Sequence, residues 1–131
     1  MFSIQQIKMA HAQVKSGADF PKYVQDLIAL GVTHYDCYVS DGHTDYYGSD
    51  GFTISSEAKY AVLDVAGTGD TARFIDYLKL HQQGGSAYPE FCEHAALTGV
   101  EKWTVDMDAM TCSYYDKDGN TMLVEQVPVV K

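Results

Sequence analysis

The sequence predicts an α+β protein built by tandem duplication of one helix-helix-strand-strand unit, with a third short strand at the end of the unit. Three observations support this fold class. Apolar residues recur first at helical spacing and then in alternation, Asp-Gly pairs separate the alternating stretches, and the second half repeats the first at a constant offset. Helices that precede hairpin-connected strands indicate an antiparallel sheet with the helices on one face.

The composition is that of a single domain covering residues 1–131. Hydrophobic residues make up 46% of the chain, which is enough for a core of its own. The formal net charge is −9, and an acidic surface repels nucleic-acid phosphates and anionic lipids. We therefore expect no nucleic-acid partner and no membrane partner. No apolar stretch approaches the ~20 residues that a membrane span needs.

The cysteines and the N-terminus predict a cytoplasmic protein. Cys37, Cys92 and Cys112 lack the close spacing of a C-x-x-C metal or redox site, so we expect buried free thiols in a reducing compartment. The first residues do not show the basic region and apolar run of a signal peptide. We expect no cofactor and no bound metal.

The repeat is visible as pairs of residues that recur 68 positions later without a gap. It spans about residues 3–56 and 71–127, joined by a linker at 57–70. The alternative is convergence of similar cap and turn residues on one register. Two copies are too few for a solenoid, so we expect a compact pseudo-symmetric domain. The clearest matches are Phe20-Pro21 with Tyr88-Pro89, Gly31-Val32 with Gly99-Val100, Tyr46-Tyr47 with Tyr114-Tyr115, and Asp50-Gly51 with Asp118-Gly119.

Two helices open the first copy. Ser3 and Gln6 have the spacing of a capping box at the start of the first helix, and Gly17 is expected to end it. Asp19 is expected to cap the second helix with its side chain. Gly31 is expected to end that helix.

Strands follow the helices of the first copy. Residues 32–40 alternate between apolar and polar side chains, and the turn signal Asp41-Gly42 leads to a second strand at 44–48. Asp50-Gly51 turns the chain into a third strand near residues 52–55. The alternation predicts one face with Tyr35, Cys37 and Val39, and an opposite face with His34, Asp36 and Tyr38.

The second copy has the same order of elements. Apolar residues at helical spacing predict helices around residues 72–80 and 91–96. Three strands are expected near residues 103–107, 111–116 and 121–127. Between the copies, residues 60–65 indicate either an extra strand or an extended linker.

Three segments carry a family resemblance: YDCYVSDG at residues 35–42, VEKWTVD at 100–106 and MTCSYYD at 110–116. They resemble a bacterial family of unknown function, DUF1398, whose members are called YbcV-like or phage envelope protein. The resemblance covers nearly the whole chain. It implies no catalytic residue and no activity, because none is established for the family. An envelope protein would need a membrane segment or an assembly surface, and the sequence shows no membrane segment.

The densest group of ligand-type residues comprises His34, Asp36, His43 and Asp45. Each strand of the first hairpin carries a histidine and an aspartate at i, i+2, and the hairpin would bring all four together. Such a group predicts a metal-assisted or acid–base site. The alternative is an ordinary solvated sheet face. The matching residues of the second copy would bind no metal, since they are Lys102, Thr104, Thr111 and Ser113. A site here would therefore belong to the first half only.

The tyrosines form a second set of candidates, for binding. Adjacent strand residues face opposite ways, so Tyr46-Tyr47 and Tyr114-Tyr115 should each place one ring inward and one outward. The outward rings, together with Tyr38, would line a groove or an assembly patch. Packing in the core and on the sheet face is the alternative.

Two further patterns are weaker. Glu90 and His94 have the i, i+4 spacing of residues that share a metal on a helix, or they lie on a wet helix surface. Cys112 would act as a nucleophile if a base such as His43 lay beside it, and otherwise it is a packed thiol.

Two functions remain open from the sequence. The first is a non-enzymatic binding or protein-interaction module whose acidic, tyrosine-rich surface contacts a protein or a small ligand, including a second copy in a homodimer. The second is a small metal-assisted or acid–base enzyme that uses the four His and Asp residues of the first copy. The lack of a complete catalytic set favours the first.

Overall fold

The structure, a computed structural model, describes residues 2–14 and 19–127. Across these residues the chain forms four α-helices and one six-stranded antiparallel sheet, so the predicted α+β class is confirmed. In chain order the elements are α1 (Ile4–His11), α2 (Phe20–Leu30), β1 (Val32–Tyr38), β2 (Thr44–Gly48), β3 (Thr53–Ser55), α3 (Thr71–Gln82), α4 (Tyr88–Leu97), β4 (Lys102–Asp106), β5 (Thr111–Tyr115) and β6 (Thr121–Gln126).

The strands lie in the order β3-β2-β1-β4-β5-β6, so the two hairpin groups join through β1 and β4 into a single sheet. The β1–β4 pairing is antiparallel, with Asp36 directly opposite Thr104. The Thr104 hydroxyl donates a hydrogen bond to the Asp36 carboxylate, with Oγ1 and Oδ1 2.5 Å apart. This polar contact lies at the centre of the sheet, where the two halves meet.

One face of the sheet packs against the helices and the other does not. Tyr23 of α2 contacts Tyr35 of β1, and Phe91 of α4 contacts Trp103 of β4, with ring centroids 6.4 and 5.8 Å apart. Residues that alternate with these, such as Asp36, are half-buried on the opposite face, which is called the open face below. The alternation expected for the first strand is therefore confirmed.

The predicted N-terminal cap is present at α1 and absent at α2. Ser3 Oγ accepts from the backbone N–H of Gln6 at 3.2 Å, and Gln6 Oε1 accepts from the N–H of Ser3 at 2.9 Å, so the capping box is confirmed. The expectation for Asp19 is wrong, because its side chain makes no capping hydrogen bond. Its backbone is helical (φ −88°, ψ −2°) instead of extended, and a capping side chain needs the extended form. Gly17 lies outside the described residues.

Residues 56–70, between β3 and α3, form a linker without a strand. The Tyr60 hydroxyl donates to the backbone oxygen of Val39 at 2.6 Å, which attaches the linker to the end of the first strand. The N–H of Asp70 donates to the oxygen of Thr98 at 2.8 Å, just after α4. The linker is thus bonded to both halves.

We predict that Gly99→Ala destabilises the protein more than Gly31→Ala. Both glycines follow the second helix of their half and have left-handed backbones, with φ of +87° and +101°. Either alanine should cost about 1–2 kcal/mol of unfolding free energy for that conformation. At Gly99 the new Cβ would also lie 2.6 Å from the backbone oxygen of Thr68, whereas at Gly31 its nearest neighbour is Phe2, at 3.9 Å.

Urea unfolding of the two variants beside the wild type measures the difference. Equal losses at the two positions would contradict the close approach of the linker to Gly99.

Candidate functional site

A cavity of about 480 Å³ lies between the helices and the inner face of the sheet. Ligand pockets typically measure ~300–1,000 Å³ and are walled mainly by apolar and aromatic side chains. No pattern in the sequence predicted this cavity. Seven of the side chains that line it are Phe, Tyr or Trp rings from both halves: Phe20, Tyr23, Tyr35, Tyr46, Phe91, Trp103 and Tyr114.

The fold explains why these rings meet. The strands β1, β2, β4 and β5 occupy the middle of the sheet, and each points one ring inward. Contacts between helices are concentrated within the pair α1–α2 and within the pair α3–α4. Each pair therefore covers its own half of the sheet, and the space between the pairs is left for the cavity. Lys59 and Gln82, both exposed, also line the cavity and mark its opening to solvent.

The cavity is lined by hydroxyl and thiol groups as well as rings, and by two charged residues, Lys59 and Glu125. The hydroxyls of Tyr23 and Tyr46 are 3.3 Å apart and share a hydrogen bond. Burial raises the pKa of both phenols and raises the pKa of the Cys112 thiol to about 12, so these groups stay protonated near neutral pH. The Tyr114 hydroxyl donates to Glu125 Oε1 at 3.5 Å.

Two histidines line the cavity, one from each helix pair. Burial lowers the pKa of His11, and the charge of Lys59 lowers it further. Burial also lowers the pKa of His81, whose Nδ1 lies 3.0 Å from the backbone oxygen of Ser86. A carbonyl only accepts, so His81 Nδ1 carries a proton and donates it, which leaves Nε2 as the acceptor of the neutral ring.

The two histidines expected from the first hairpin lie on the open face, on the side of the sheet away from the cavity. The ring of His34 stacks on Tyr47, and the ring of His43 stacks on Tyr38, with centroids 4.3 and 4.4 Å apart. His34 pairs with Tyr47 near the start of β1, whereas Tyr38 is the last residue of that strand. The imidazoles are therefore held apart along the hairpin.

The two aspartates of the same group do come together. Asp36 and Asp45 occupy directly opposed positions of β1 and β2. Asp36 accepts from Thr104, and Asp45 accepts from the Ser55 hydroxyl at 2.7 Å. Within residues 2–14 and 19–127, no three His, Cys, Asp or Glu side chains are placed to hold a metal ion together. The structure thus brings two of the four candidates into opposition and gives each a separate partner.

The tyrosine pairs divide between the two faces as the alternation predicts. Tyr46 and Tyr114 point inward, with exposed fractions of 3% and 5%, and both line the cavity. Tyr47 and Tyr115 are half-buried on the open face. Tyr38 also lies there, and Lys102 Nζ is 5.7 Å from the centroid of the Tyr38 ring.

The weaker candidates are not assembled into sites. Cys112 faces the cavity, whereas His43 stacks on the open face, so the sheet separates the thiol from that base. Glu90 is exposed, and the ring of His94 stacks on Tyr77 with centroids 3.9 Å apart.

These features define a class: a small α+β protein with an aromatic cavity between paired helices and a six-stranded sheet. The chain belongs to the family described as protein of unknown function (DUF1398), whose model matches residues 8–126. It is similar to the uncharacterized protein YcgX of Escherichia coli (strain K12), with 25% identity over 115 residues, 88% of this chain and 86% of that protein. The family expected from the sequence is confirmed, while the names YbcV-like and phage envelope protein stay predictions.

Among the described residues, no helix combines the length and the apolar character needed to cross a bilayer.

We predict that stability falls as the pH drops below about 6.5, the ordinary pKa of histidine. The folded protein takes up protons at His11 and His81 less readily than the unfolded chain, because burial lowers both pKa values. The two histidines therefore contribute fully to the free energy of unfolding above pH 6.5. This contribution is lost as the pH falls from 6.5 to their lowered pKa values. The pKa of Asp41 is lowered from 3.8, so its contribution to stability is lost only below that pH.

Urea midpoints near pH 7.5 and pH 5.5 test this, with the double variant H11Q/H81Q as the comparison. The double variant should show a smaller drop between the two conditions. An undiminished drop would assign the acid sensitivity to other groups.

Proposed function

We propose that this protein is a non-enzymatic binding protein that holds a small amphipathic molecule in its aromatic cavity. The observation that carries the proposal is the cavity itself, about 480 Å³ in a chain of 131 residues. Its lining includes a ring from each of the four central strands and a ring from each of α2 and α4.

The size of the space argues for a ligand. Protein interiors pack to a density near ~0.74, and voids larger than one water molecule are few. This space could hold on the order of ten waters. Transfer of apolar surface out of water is worth roughly 25 cal/mol per Å², so a ligand that replaced those waters and covered the rings would gain free energy.

The chemistry of the lining supports binding rather than covalent catalysis. Cys112 is the candidate nucleophile that faces the cavity. Burial raises its pKa to about 12, so it stays protonated and does not form the reactive thiolate. The acid–base candidates His34, Asp36 and Asp45 lie on the opposite face of the sheet. No group of the enzyme hypothesis thus faces the cavity.

A cytoplasmic location is part of the proposal. All three cysteines are buried thiols, and thiols stay unoxidised in a reducing compartment. Cys37 and Cys112 both line the cavity, so the binding site would remain intact only while they stay reduced.

The neutral fluorescent probe N-phenyl-1-naphthylamine tests the proposal. Trp103 is the one tryptophan of the chain and lines the cavity, so a bound probe should quench its emission and receive its excitation energy. The variant Leu78→Phe adds volume to a buried residue of the lining and should weaken probe binding about tenfold or more.

Leu80→Phe is the matched control, because Leu80 lies on the same helix, is 42% exposed and does not line the cavity. It should bind the probe as the wild type does. Thermal unfolding of both variants checks that they fold. No energy transfer from Trp103 in the wild type, or full binding by a folded Leu78→Phe variant, would overturn the proposal.

A further inference from the structure

Residues 68 positions apart line the cavity from the two halves, and they differ in polarity. Tyr23 of α2 corresponds to Phe91 of α4, and Lys59 corresponds to Val127. The first half therefore supplies a phenol and an ammonium group where the second half supplies a phenyl ring and an isopropyl group.

The second half also supplies polar groups to the lining, and three of them are bound to each other. His81 and Gln126 are bonded instead to backbone oxygens. Gln82 Nε2 donates to Glu125 Oε1 at 3.1 Å, and the Tyr114 hydroxyl donates to the same oxygen at 3.5 Å. At one pair of positions the second half is the more polar, because Gln82 corresponds to Val14. The Gln82 amide, however, is already bonded to the Glu125 carboxylate. The negative charge of Glu125 would repel an anion on this side.

The first half keeps bonding capacity at its edge of the cavity. Lys59 Nζ lies 3.5 Å from the backbone oxygen of Gly42 and 3.5 Å from Ser56 Oγ, which is long for a hydrogen bond. An ammonium group has three donors, so it can bind a further acceptor. Its charge reaches His11, whose ring in turn contacts Tyr23 with centroids 5.4 Å apart. Cation, imidazole and phenol thus form one continuous polar edge.

We propose that the ligand is an amphipathic anion with a planar apolar body, and that it binds in one orientation. Its anionic group lies at the edge formed by Lys59, His11 and Tyr23, and its apolar body lies against Phe91 and Trp103. This inference rests on the proposed function, because it names the ligand class and the orientation for the same cavity.

Two naphthalene compounds of equal ring size and opposite charge test the inference by displacement of N-phenyl-1-naphthylamine: 2-naphthoate and 2-naphthylmethylammonium. The carboxylate should displace the probe at a concentration about tenfold lower than the ammonium compound. Lys59→Gln should remove this preference, with displacement by each compound referred to the affinity of the variant itself for the neutral probe. Lys79→Gln, a surface change on α3 outside the lining, is the matched control and should keep the preference.

The outcomes separate the two proposals. If the neutral probe does not bind the wild type, the proposed function fails. If the probe binds but the two compounds displace it equally well, or if Lys59→Gln keeps the preference, the anionic ligand and its orientation fail while the binding function stands.

Discussion

The antiparallel pairing of β1 with β4 is the contact on which the rest of the structure depends. Each half of the chain alone has three short strands, and such a sheet is marginal without further packing. Pairing the two inner strands makes one six-stranded sheet with a continuous inner face. It also brings Tyr35 and Trp103 to the middle of that face, where they form part of the cavity wall.

The cavity results from the way in which the two helix pairs pack on this face of the sheet. Each helix pair packs within itself, and the cavity lies between the two pairs against the four inner strands of the sheet. Large rigid rings such as Tyr46 and Tyr114 wall the remaining space and do not fill it. The cavity between the two halves is thus a result of the architecture, while its chemistry is decided by which residues the two halves place there.

Much of the fold could be predicted because the signals are local. Alternation placed Tyr35 and Asp36 on opposite faces, and the spacing of Ser3 and Gln6 predicted the capping box. The failure at Asp19 is also local: residue type alone does not fix the backbone angles on which a capping side chain depends.

The site was harder to predict, because a cavity depends on how far apart helices from distant segments are held. One alternative, His43 acting as the base for Cys112, could have been excluded from the sequence. Thr44 corresponds to Cys112, and His43 directly precedes Thr44, so alternation already places that imidazole on the face away from the thiol. The offset of 68 that predicts a repeat also relates lining residues of the two halves, such as Tyr46 and Tyr114, when inward positions are compared in pairs.

The hydrogen bond between Asp36 and Thr104 joins residues 68 positions apart, and this has a consequence for the order of folding. The hairpins β1–β2 and β4–β5 close loops of a few residues, whereas the central ladder must close a loop that contains two helices and the linker. Loop-closure entropy grows with the logarithm of loop length, so the hairpins have the easier start. The β1–β4 pairing therefore has the largest loop-closure cost of the three. Burial of the rings around it must offset that loss of entropy.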